Sequence, residues 1–266
     1  MADDSQQAKE GRTGSGIRLR IRHLFKRLLA PLTIRIRSGP LQGRRWSPMS
    51  GTRFLRGNFK SEKSEAMARE LGEGDVVYDV GAHVGYTAIL ASGRVGATGL
   101  VVAFEPRGLN LRFLRIHMKV NRTENIRVVE SAVGERTGRA LFDEDRGSGT
   151  GRLAEDGRLS VPLVSLDDLV ASGELPPPDF IKVDVEGGEL VVLQGARSIL
   201  DRHHPALFLA THGVEVHDAC TAILTEAGYE WTVLSEGERP GEVELLARVA
   251  GAHDGRSSGK RNQSTM

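Results

Sequence analysis

The sequence predicts an α/β protein built on a seven-stranded, mostly parallel sheet that closes with an antiparallel hairpin. Between residues 76 and 227, short apolar runs alternate with segments of helical spacing, which is the order of repeated βα units. Two further strand-like runs, 231–234 and 242–249, follow each other across a turn-rich segment. The βα units would stack their strands in parallel, and the last two runs would supply the hairpin.

The first βα unit contains a glycine turn. Val76 to Val80 is a β-rich apolar run of the kind found in strands buried on both faces of a sheet. Gly81 and Gly85 follow it, and apolar residues resume at helical spacing from Tyr86. A strand that turns at glycine into a helix brings backbone N–H groups and a helix N-terminus close to a ligand.

Two acidic residues indicate what this ligand is. Asp79 lies two residues before Gly81, and the G-x-G-x-x-G spacing of dinucleotide-binding turns is absent. The turn is closer to the D/E-x-G-x-x-x-G turn of methyltransferases that use S-adenosylmethionine (SAM), whose sulfonium and ammonium groups are attracted to a carboxylate. Glu105 ends the next apolar run, where an acid can bind both ribose hydroxyls. Capping of helices is the alternative role for both acids.

We therefore predict that SAM is the cofactor and lies across the carboxyl ends of the first core strands. Asp79 is expected to face its ammonium group, directly or through water, and Glu105 its ribose. Asp184, at the end of a strand over 180–183, is expected beside the methyl group. The other predicted contacts are Gly81, Ala82 and Gly85 with the methionine part, and Ser131 and Ala132 with the adenine edge.

The remaining elements follow from the same patterns. Strands are expected at 126–129, 180–183 and 206–209, and helices at 61–71, 109–120, 189–200 and 215–227. Ser165, with Asp168 three residues later, has the N-terminal signature of a short helix. Residues 141–158 are expected to form an exposed loop over the rim of the site, with a short strand within 153–163.

The ends of the chain differ from its centre in charge. Residues 1–60 carry 14 Lys or Arg and three Asp or Glu, a net charge of +11, so the remaining residues carry −10 of the total of +1. We expect disordered ends at 1–16 and 251–266, a basic extension over 17–60 and the methyltransferase domain over 61–250.

The basic extension is predicted to contain a helix and a β-hairpin. Residues 17–30 place apolar side chains on one helical face, which favours packing on the domain over weak contact with an anionic membrane surface. The runs 32–37 and 41–48 are expected to pair across a Ser-Gly-Pro turn. A nucleic-acid partner is not expected, because aromatic residues are sparse and no recognition motif accompanies the charge.

The single cysteine, Cys220, excludes an internal disulfide framework and fits a reducing compartment. We expect it to be a small core residue on a helix. No apolar run is long enough to span a bilayer, and no secretory h-region follows the polar start of the chain. The expected location is therefore cytoplasmic.

Four motifs resemble those of the FkbM-type SAM-dependent methyltransferases. They are GDVVYDVGAHVGYTA; FEP followed by Asn110, Asn121, Asn125 and SAVGE; VSLDDL; and IKVDVEGGELVVLQGA, the most specific of the four. The resemblance covers roughly residues 41–249. It implies a class I methyltransferase fold, SAM as the methyl donor, and O-methylation of a hydroxyl on a sugar, glycan, polyketide or other natural product.

The sequence departs from this family at two places. Lys60 follows Gly57-Asn58-Phe59 where the family often has Glu, and Ala210-Thr211-His212 stands where the family often has E-x-H. A role of that glutamate cannot be transferred to this chain. The departures affect the expected substrate class more than the expected binding of SAM.

The predicted catalytic residues follow the fourth and fifth strands. Methyl transfer to a hydroxyl needs oxygen, methyl carbon and sulfur in line, and a group that removes the proton. His212 is the predicted base, because an imidazole with a pKa of about 6.5 accepts a proton at neutral pH. Glu186 is a second candidate or orients the substrate, with Asp184 beside the methyl group. A structural role for His212 in a loop is equally open.

A metal site and two other functions are alternatives. Asp184, Glu186, Glu189 and His212 could bind Mg²⁺, but acids at strand ends more often bind hydroxyls or cap helices, so no metal is assigned. An oxidoreductase that uses NAD or a nucleotide sugar could share the sheet, although the turn lacks G-x-G-x-x-G. A non-catalytic module held at a membrane by residues 17–30 is the other alternative. The expected partner of the enzyme is a small-molecule or glycan acceptor.

Overall fold

A computed structural model describes residues 29–56, 61–143, 152–153 and 159–249 of the 266-residue chain. Its strands are β1 (Ile34–Arg35), β2 (Arg45–Trp46), β3 (Val76–Val80), β4 (Leu100–Phe104), β5 (Ile126–Val129), β6 (Ala132–Val133), β7 (Gly138–Asp143), β8 (Arg152–Leu153), β9 (Leu159–Val164), β10 (Phe180–Val183), β11 (Ala206–His212), β12 (Tyr229–Glu236) and β13 (Glu242–Val249). Its helices are α1 (Ser61–Glu70), α2 (Tyr86–Val95), α3 (Gly108–Asn121), α4 (Leu166–Ala171), α5 (Glu189–Gln194), α6 (Arg197–His203) and α7 (Val214–Glu226).

The central sheet has seven strands in the order β12-β13-β11-β10-β3-β4-β5. The five strands from β11 to β5 are parallel, and β13 is antiparallel to both of its neighbours. The predicted architecture is therefore confirmed, including the closing hairpin. The chain runs outward from β3 to β4 and β5 on one side, and crosses back to β10 on the other. The carboxyl ends of β3 and β10 thus flank the switch point of the sheet, where such sheets bind ligands.

Two apolar layers cover the sheet because successive side chains of each strand point to opposite faces. Val77 and Phe180 pack with α2 and α3 on one face. Tyr78, Val80 and Ile181 pack with α4 to α7 on the other, where Cys220 of α7 is fully buried. Both faces are covered, which explains why apolar residues dominate these strands on both faces.

The helix predicted over 189–200 is two helices, so this prediction was wrong. The break lies at Gly195, whose carbonyl accepts hydrogen bonds from Asp167 N–H at 2.8 Å and from Ser165 Oγ at 3.1 Å. A side chain on Gly195 would also meet Gly134 O at 2.0 Å. The carboxylate of Asp167 then accepts from the N–H groups of Ser198 and Ile199 near the start of α6. Contacts with α4 thus end one helix and start the next.

A small second sheet replaces part of the loop predicted over 141–158. Four strands pair in the order β6-β9-β7-β8, and Leu141 belongs to β7. The short strand expected within 153–163 corresponds mainly to β9. Residues 144–151 and 154–158 lie outside the described residues. The predicted cap of α4 is confirmed, since Asp168 N–H donates to Ser165 Oγ at 3.3 Å.

The N-terminal hairpin packs on the domain, and His117 of α3 is one of its main contacts. Ile34 pairs with Trp46 and Arg35 with Arg45, as predicted for the runs 32–37 and 41–48. The ring of Trp46 stacks on His117 with centroids 3.7 Å apart. His117 Nδ1 donates to Val84 O at 2.8 Å, and its Nε2 accepts from Ser47 N–H at 3.1 Å. The extension is thereby joined to the glycine turn.

Several predictions for the ends concern residues outside the described part of the chain. These are the disorder at 1–16 and 251–266, nearly all of the helix at 17–30, and the segment 57–60 with its Lys60 departure. The domain boundaries stay predictions. Among the described residues, no helix combines the length and apolar character that crossing a bilayer requires.

The buried His117 makes stability depend on pH. Burial lowers the pKa of His117 to about 4. The hydrogen bond to Val84 O has the opposite effect on this pKa but is the weaker of the two. The unfolded chain therefore binds more protons between pH 6.5 and 4, so this residue lowers the free energy of unfolding as the pH falls through that range, by on the order of 3 kcal/mol.

Urea denaturation of the wild type and of His117→Gln between pH 4 and 7 measures this effect. The difference in unfolding free energy between the two proteins should shrink as the pH falls. The exposed His203 offers the control His203→Asn, which should keep the wild-type profile. Parallel profiles for the wild type and His117→Gln would contradict the assignment.

Candidate active site

The glycine turn after β3 is packed against three neighbouring segments: the end of β4, the end of β10 and α3. Gly81 and Gly85 have φ values of +77° and +92°, which favour glycine. A side chain on Gly81 would approach Asp184 O to 2.2 Å, and one on Gly85 would approach Leu114 Cδ1 to 2.3 Å. The N–H groups of Gly81 and Ala82 both donate to Phe104 O, at 3.1 and 3.0 Å. The turn is therefore fixed against the ends of β4 and β10.

Glu105 lies directly after β4 and is held by three donors. Its Oε2 accepts from His83 N–H at 2.8 Å, and its Oε1 accepts from Arg107 N–H at 2.9 Å and Asn110 Nδ2 at 3.2 Å. Burial raises the pKa of Glu105, while these hydrogen bonds oppose the rise. The carboxylate is thus oriented beside the glycine turn, at the place the sequence predicts for a ribose-binding acid.

Asp79 is fully buried and pairs with a lysine that the sequence analysis missed. Lys182 lies opposite it on β10, with Nζ 3.1 Å from Asp79 Oδ1. The same Nζ donates to Val80 O at 3.1 Å and to Gly81 O at 2.8 Å. Burial raises the pKa of Asp79, and the charge of Lys182 opposes the rise. We expected the Asp79 carboxylate to face the ammonium group of SAM, but it faces Lys182. A lysine inside an otherwise apolar strand was the sequence signal that could have predicted this pair.

Ser131 and Ala132 follow β5, as predicted, and both are buried. Ala132 also begins β6 and pairs with Leu163 of the small sheet. The two residues therefore lie at the carboxyl edge of the central sheet, one strand beyond Glu105. Their predicted contact with adenine stays a prediction.

Asp184, Glu186 and His212 form one group, which we call the carboxylate–histidine cluster. Asp184 follows β10 and His212 ends the adjacent parallel strand β11. His212 Nε2 lies 3.9 Å from Asp184 Oδ1 and 3.7 Å from Glu186 Oε2. The structure thus brings together the three residues that the sequence analysis named as catalytic. All three are partly buried.

Glu189, at the start of α5, orients the imidazole of this cluster. It is fully buried, and its Oε1 accepts from the N–H groups of Val185 at 3.2 Å and Gly187 at 3.0 Å. The same oxygen lies 2.9 Å from His212 Nδ1. An ionised carboxylate only accepts hydrogen bonds, so Nδ1 carries a proton and Nε2 is the nitrogen directed at the other two acids. The sequence analysis named Glu189 only as a possible metal ligand.

Opposing effects act on the pKa of His212. Burial alone would lower it, but the hydrogen bond to Glu189 and the charges of Glu189, Asp184 and Glu186 together raise it above its ordinary value. Glu186 itself has a φ of +59°, an uncommon conformation for a residue with a side chain. The cluster is therefore an acidic site that attracts a proton or another cation.

Comparison with known proteins identifies the family of this chain. The sequence profile of the FkbM methyltransferase domain matches residues 79–231, more than half of the chain. The chain belongs to the FkbM methyltransferase family. A relative, the hexuronic acid methyltransferase AglP of Haloferax volcanii, is 31% identical over 178 residues, which are 66% of this chain and 71% of that protein. The family confirms the resemblance, and all predicted site residues lie within the matched range.

Solved structures of methyltransferases also resemble this FkbM-family chain. The FkbM methyltransferase of Methylobacillus flagellatus is 25% identical, with a TM-score of 0.49, over 65% of this chain and 43% of that protein. This chain therefore spans less than half the length of the Methylobacillus protein. Fibrillarin of Aeropyrum pernix, solved with natively bound SAM, is 17% identical, with a TM-score of 0.45, over 67% of each chain.

The pairing of Asp79 with Lys182 can be measured by substitution. Lys182→Met leaves a buried carboxylate without its cation, so we expect the free energy of unfolding to fall by about 3–5 kcal/mol. The double variant Asp79→Asn, Lys182→Met removes both charges and should lose less. Urea denaturation of the wild type, both single variants and the double variant gives the coupling energy. Simple addition of the two single effects would contradict the pairing.

The influence of Glu189 on His212 can be measured by NMR titration. Glu189→Gln keeps the shape of the side chain but removes its charge, so the pKa of His212 should fall. The Cε1 proton shift of His212, followed against pH in the presence of EDTA, reports this directly. Glu215→Gln changes an exposed acid of α7 and should leave the titration unchanged. An unchanged pKa in Glu189→Gln would argue against the contact.

Proposed function

We propose that this protein transfers the methyl group of SAM to a hydroxyl oxygen of a sugar or glycan. The observation that carries the proposal is the contact between the glycine turn and the carboxylate–histidine cluster. Asp184 N–H donates to Val80 O at 3.3 Å, and Asp184 O lies against Gly81. A methyl donor seated on the turn would therefore end beside groups that can activate an acceptor. Membership in a methyltransferase family supports the transfer of a methyl group.

The described residues suit SAM in shape and charge. Glu105 is an oriented carboxylate suited to the ribose hydroxyls, and Ser131 and Ala132 border the place for adenine. We expect the backbone of Gly81, Ala82 and Gly85 to line the methionine part. The two glycines carry no side chain because a Cβ atom there would collide with Asp184 O or with Leu114 Cδ1. SAM supplies a methyl group bonded to a positively charged sulfur, and the acidic surroundings of Asp184 favour such a charge.

In the proposed reaction, the acceptor oxygen forms a bond to the methyl carbon as the bond from carbon to sulfur breaks, and the electron pair of that bond passes to sulfur. The hydroxyl proton must leave in the same process. Asp184 and Glu186 can accept hydrogen bonds from acceptor hydroxyls and hold the reacting one in line. His212 acts through Nε2, because Glu189 occupies Nδ1. Two roles are open to Nε2: accepting the proton, or holding a cation that acidifies the hydroxyl.

A sugar acceptor is proposed on the strength of the relative that methylates a hexuronic acid. The cluster agrees with it, because carboxylates are common partners of sugar hydroxyls. The oxidoreductase alternative gains no support from the turn or from the family. A non-catalytic module would keep its activity in cells after replacement of His212, whereas the proposed enzyme would lose it.

Two substitutions separate cofactor binding from catalysis. Glu105→Gln should weaken binding of S-adenosylhomocysteine, measured by calorimetry, by roughly tenfold, because an ionised acceptor of hydrogen bonds is lost. His212→Asn should lower methyl transfer by about 100-fold or more and leave that affinity nearly unchanged. Transfer is measured with methyl-labelled SAM and glycans that contain a hexuronic acid, beside neutral glycans.

The exposed residues His203 and Glu230 provide matched controls, and His203→Asn and Glu230→Gln should behave as the wild type. Binding of NAD without binding of S-adenosylhomocysteine would overturn the proposed function. Full activity of His212→Asn would remove His212 from the mechanism.

A further inference from the structure

We propose that the carboxylate–histidine cluster binds a divalent metal ion, and that this ion activates the acceptor hydroxyl. The binding of the ion stands on the geometry of Asp184, Glu186 and His212. Its part in the reaction rests on the proposed function. The proposal selects the second of the two roles of His212 Nε2, that of a ligand.

The three side chains present one ligand atom each around a common centre. Their carboxylate oxygens and the imidazole nitrogen all lie within 4.8 Å of one another, and the closest pairs are 3.7 and 3.9 Å apart. Neighbouring ligands of an octahedral ion lie about 3 Å apart when each is about 2.1 Å from the metal. Small side-chain rotations of partly buried residues would close that difference. Three protein ligands would leave further positions for water and an acceptor oxygen.

A separate observation at Glu189 points to a cation here. This side chain is fully buried, and its carboxylate is directed at the cluster, with Oε1 2.9 Å from His212 Nδ1. Its Oε2 is also buried and has no hydrogen-bond partner among the described residues. A buried carboxylate with an unpartnered oxygen needs positive charge nearby. A metal ion on the far side of the imidazole supplies that charge through the ring.

A histidine that binds a metal through one ring nitrogen usually donates its other ring N–H to a carboxylate. That carboxylate fixes the tautomer and makes the metal-binding nitrogen more basic. Glu189 stands in this relation to His212, with Nε2 as the nitrogen that would bind the metal. Lys182, on the strand that leads to Asp184, is engaged by Asp79 and two backbone carbonyls. Among the described residues, His212 is the group through which positive charge can reach Glu189 Oε1.

The ligand types narrow the choice of ion. Two carboxylates suit Mg²⁺, Ca²⁺ and Mn²⁺, and an imidazole suits first-row transition metals. Mn²⁺ satisfies both preferences and is the probe we choose. An acceptor hydroxyl bound to such an ion becomes more acidic, its proton passes to solvent water, and the oxygen then attacks the methyl carbon as described above.

The test is a titration of EDTA-treated, full-length protein with Mn²⁺, followed by the electron paramagnetic resonance signal of the free ion. The wild type should bind one Mn²⁺ per chain. Asp184→Asn, Glu186→Gln and His212→Asn should each weaken binding by at least tenfold. Glu189→Gln, which changes no ligand, should weaken it by about 10- to 100-fold. Glu230→Gln and His203→Asn should bind as the wild type does.

Thermal unfolding of each variant shows whether a loss of binding reflects a loss of fold. The same samples are titrated with S-adenosylhomocysteine and assayed for methyl transfer before and after EDTA treatment. Absence of saturable binding of Mn²⁺, Mg²⁺ or Zn²⁺ up to about 1 mM would overturn the metal site. So would variants that bind Mn²⁺ as tightly as the wild type.

These outcomes separate the metal proposal from the proposed function. If the metal-free protein binds S-adenosylhomocysteine and transfers methyl groups at the full rate, the proposed function stands and the metal proposal fails. His212 would then be the group that accepts the proton. Saturable Mn²⁺ binding at the cluster without binding of S-adenosylhomocysteine would support the metal site and refute the proposed function.

Discussion

The site depends on one buried ammonium group. Lys182 stands in the middle of β10, and its Nζ contacts Asp79 on the neighbouring strand and two carbonyls at the start of the glycine turn. Val80 O also accepts from Asp184 N–H, so the lysine adds a second donor there and supplies a donor to Gly81 O. It also pairs with the buried acid Asp79. It thereby fixes the position of Gly81, against which Asp184 and the whole cluster are placed.

Acidic groups dominate the carboxyl edge of this sheet, and each is held in a different way. Glu105 is oriented by backbone and amide donors, Asp79 by a lysine, and Glu189 by two N–H groups and an imidazole. Of the five acids named here, Asp79, Glu105 and Glu189 are buried, and Asp184 and Glu186 are partly exposed.

Periodicity was sufficient to predict most of the fold. Apolar runs marked all seven strands of the central sheet, and the rule that ligands bind at carboxyl ends of parallel strands grouped Asp184 with His212. Register was not visible in the sequence, so the facing of Lys182 and Asp79 was missed. The small sheet was missed for a related reason, since Ala132 and Gly138 both pair with Leu163, 31 and 25 residues away. The break at Gly195 depends on a contact with Gly134, which helical spacing cannot reveal.

The boundary expected near residue 61 separates a basic segment from an acidic one, but residues on its two sides pack against each other. Trp46 and Phe54 are almost completely buried, and both rings lie against Tyr86, the first residue of α2. A polypeptide begun at residue 61 would lack the two aromatic rings that pack beside the glycine turn, and the imidazole of His117 would lose its bond from Ser47 N–H. The basic segment from 29 to 56 is therefore an integral part of the packed core, and its removal would expose apolar surface that it now covers.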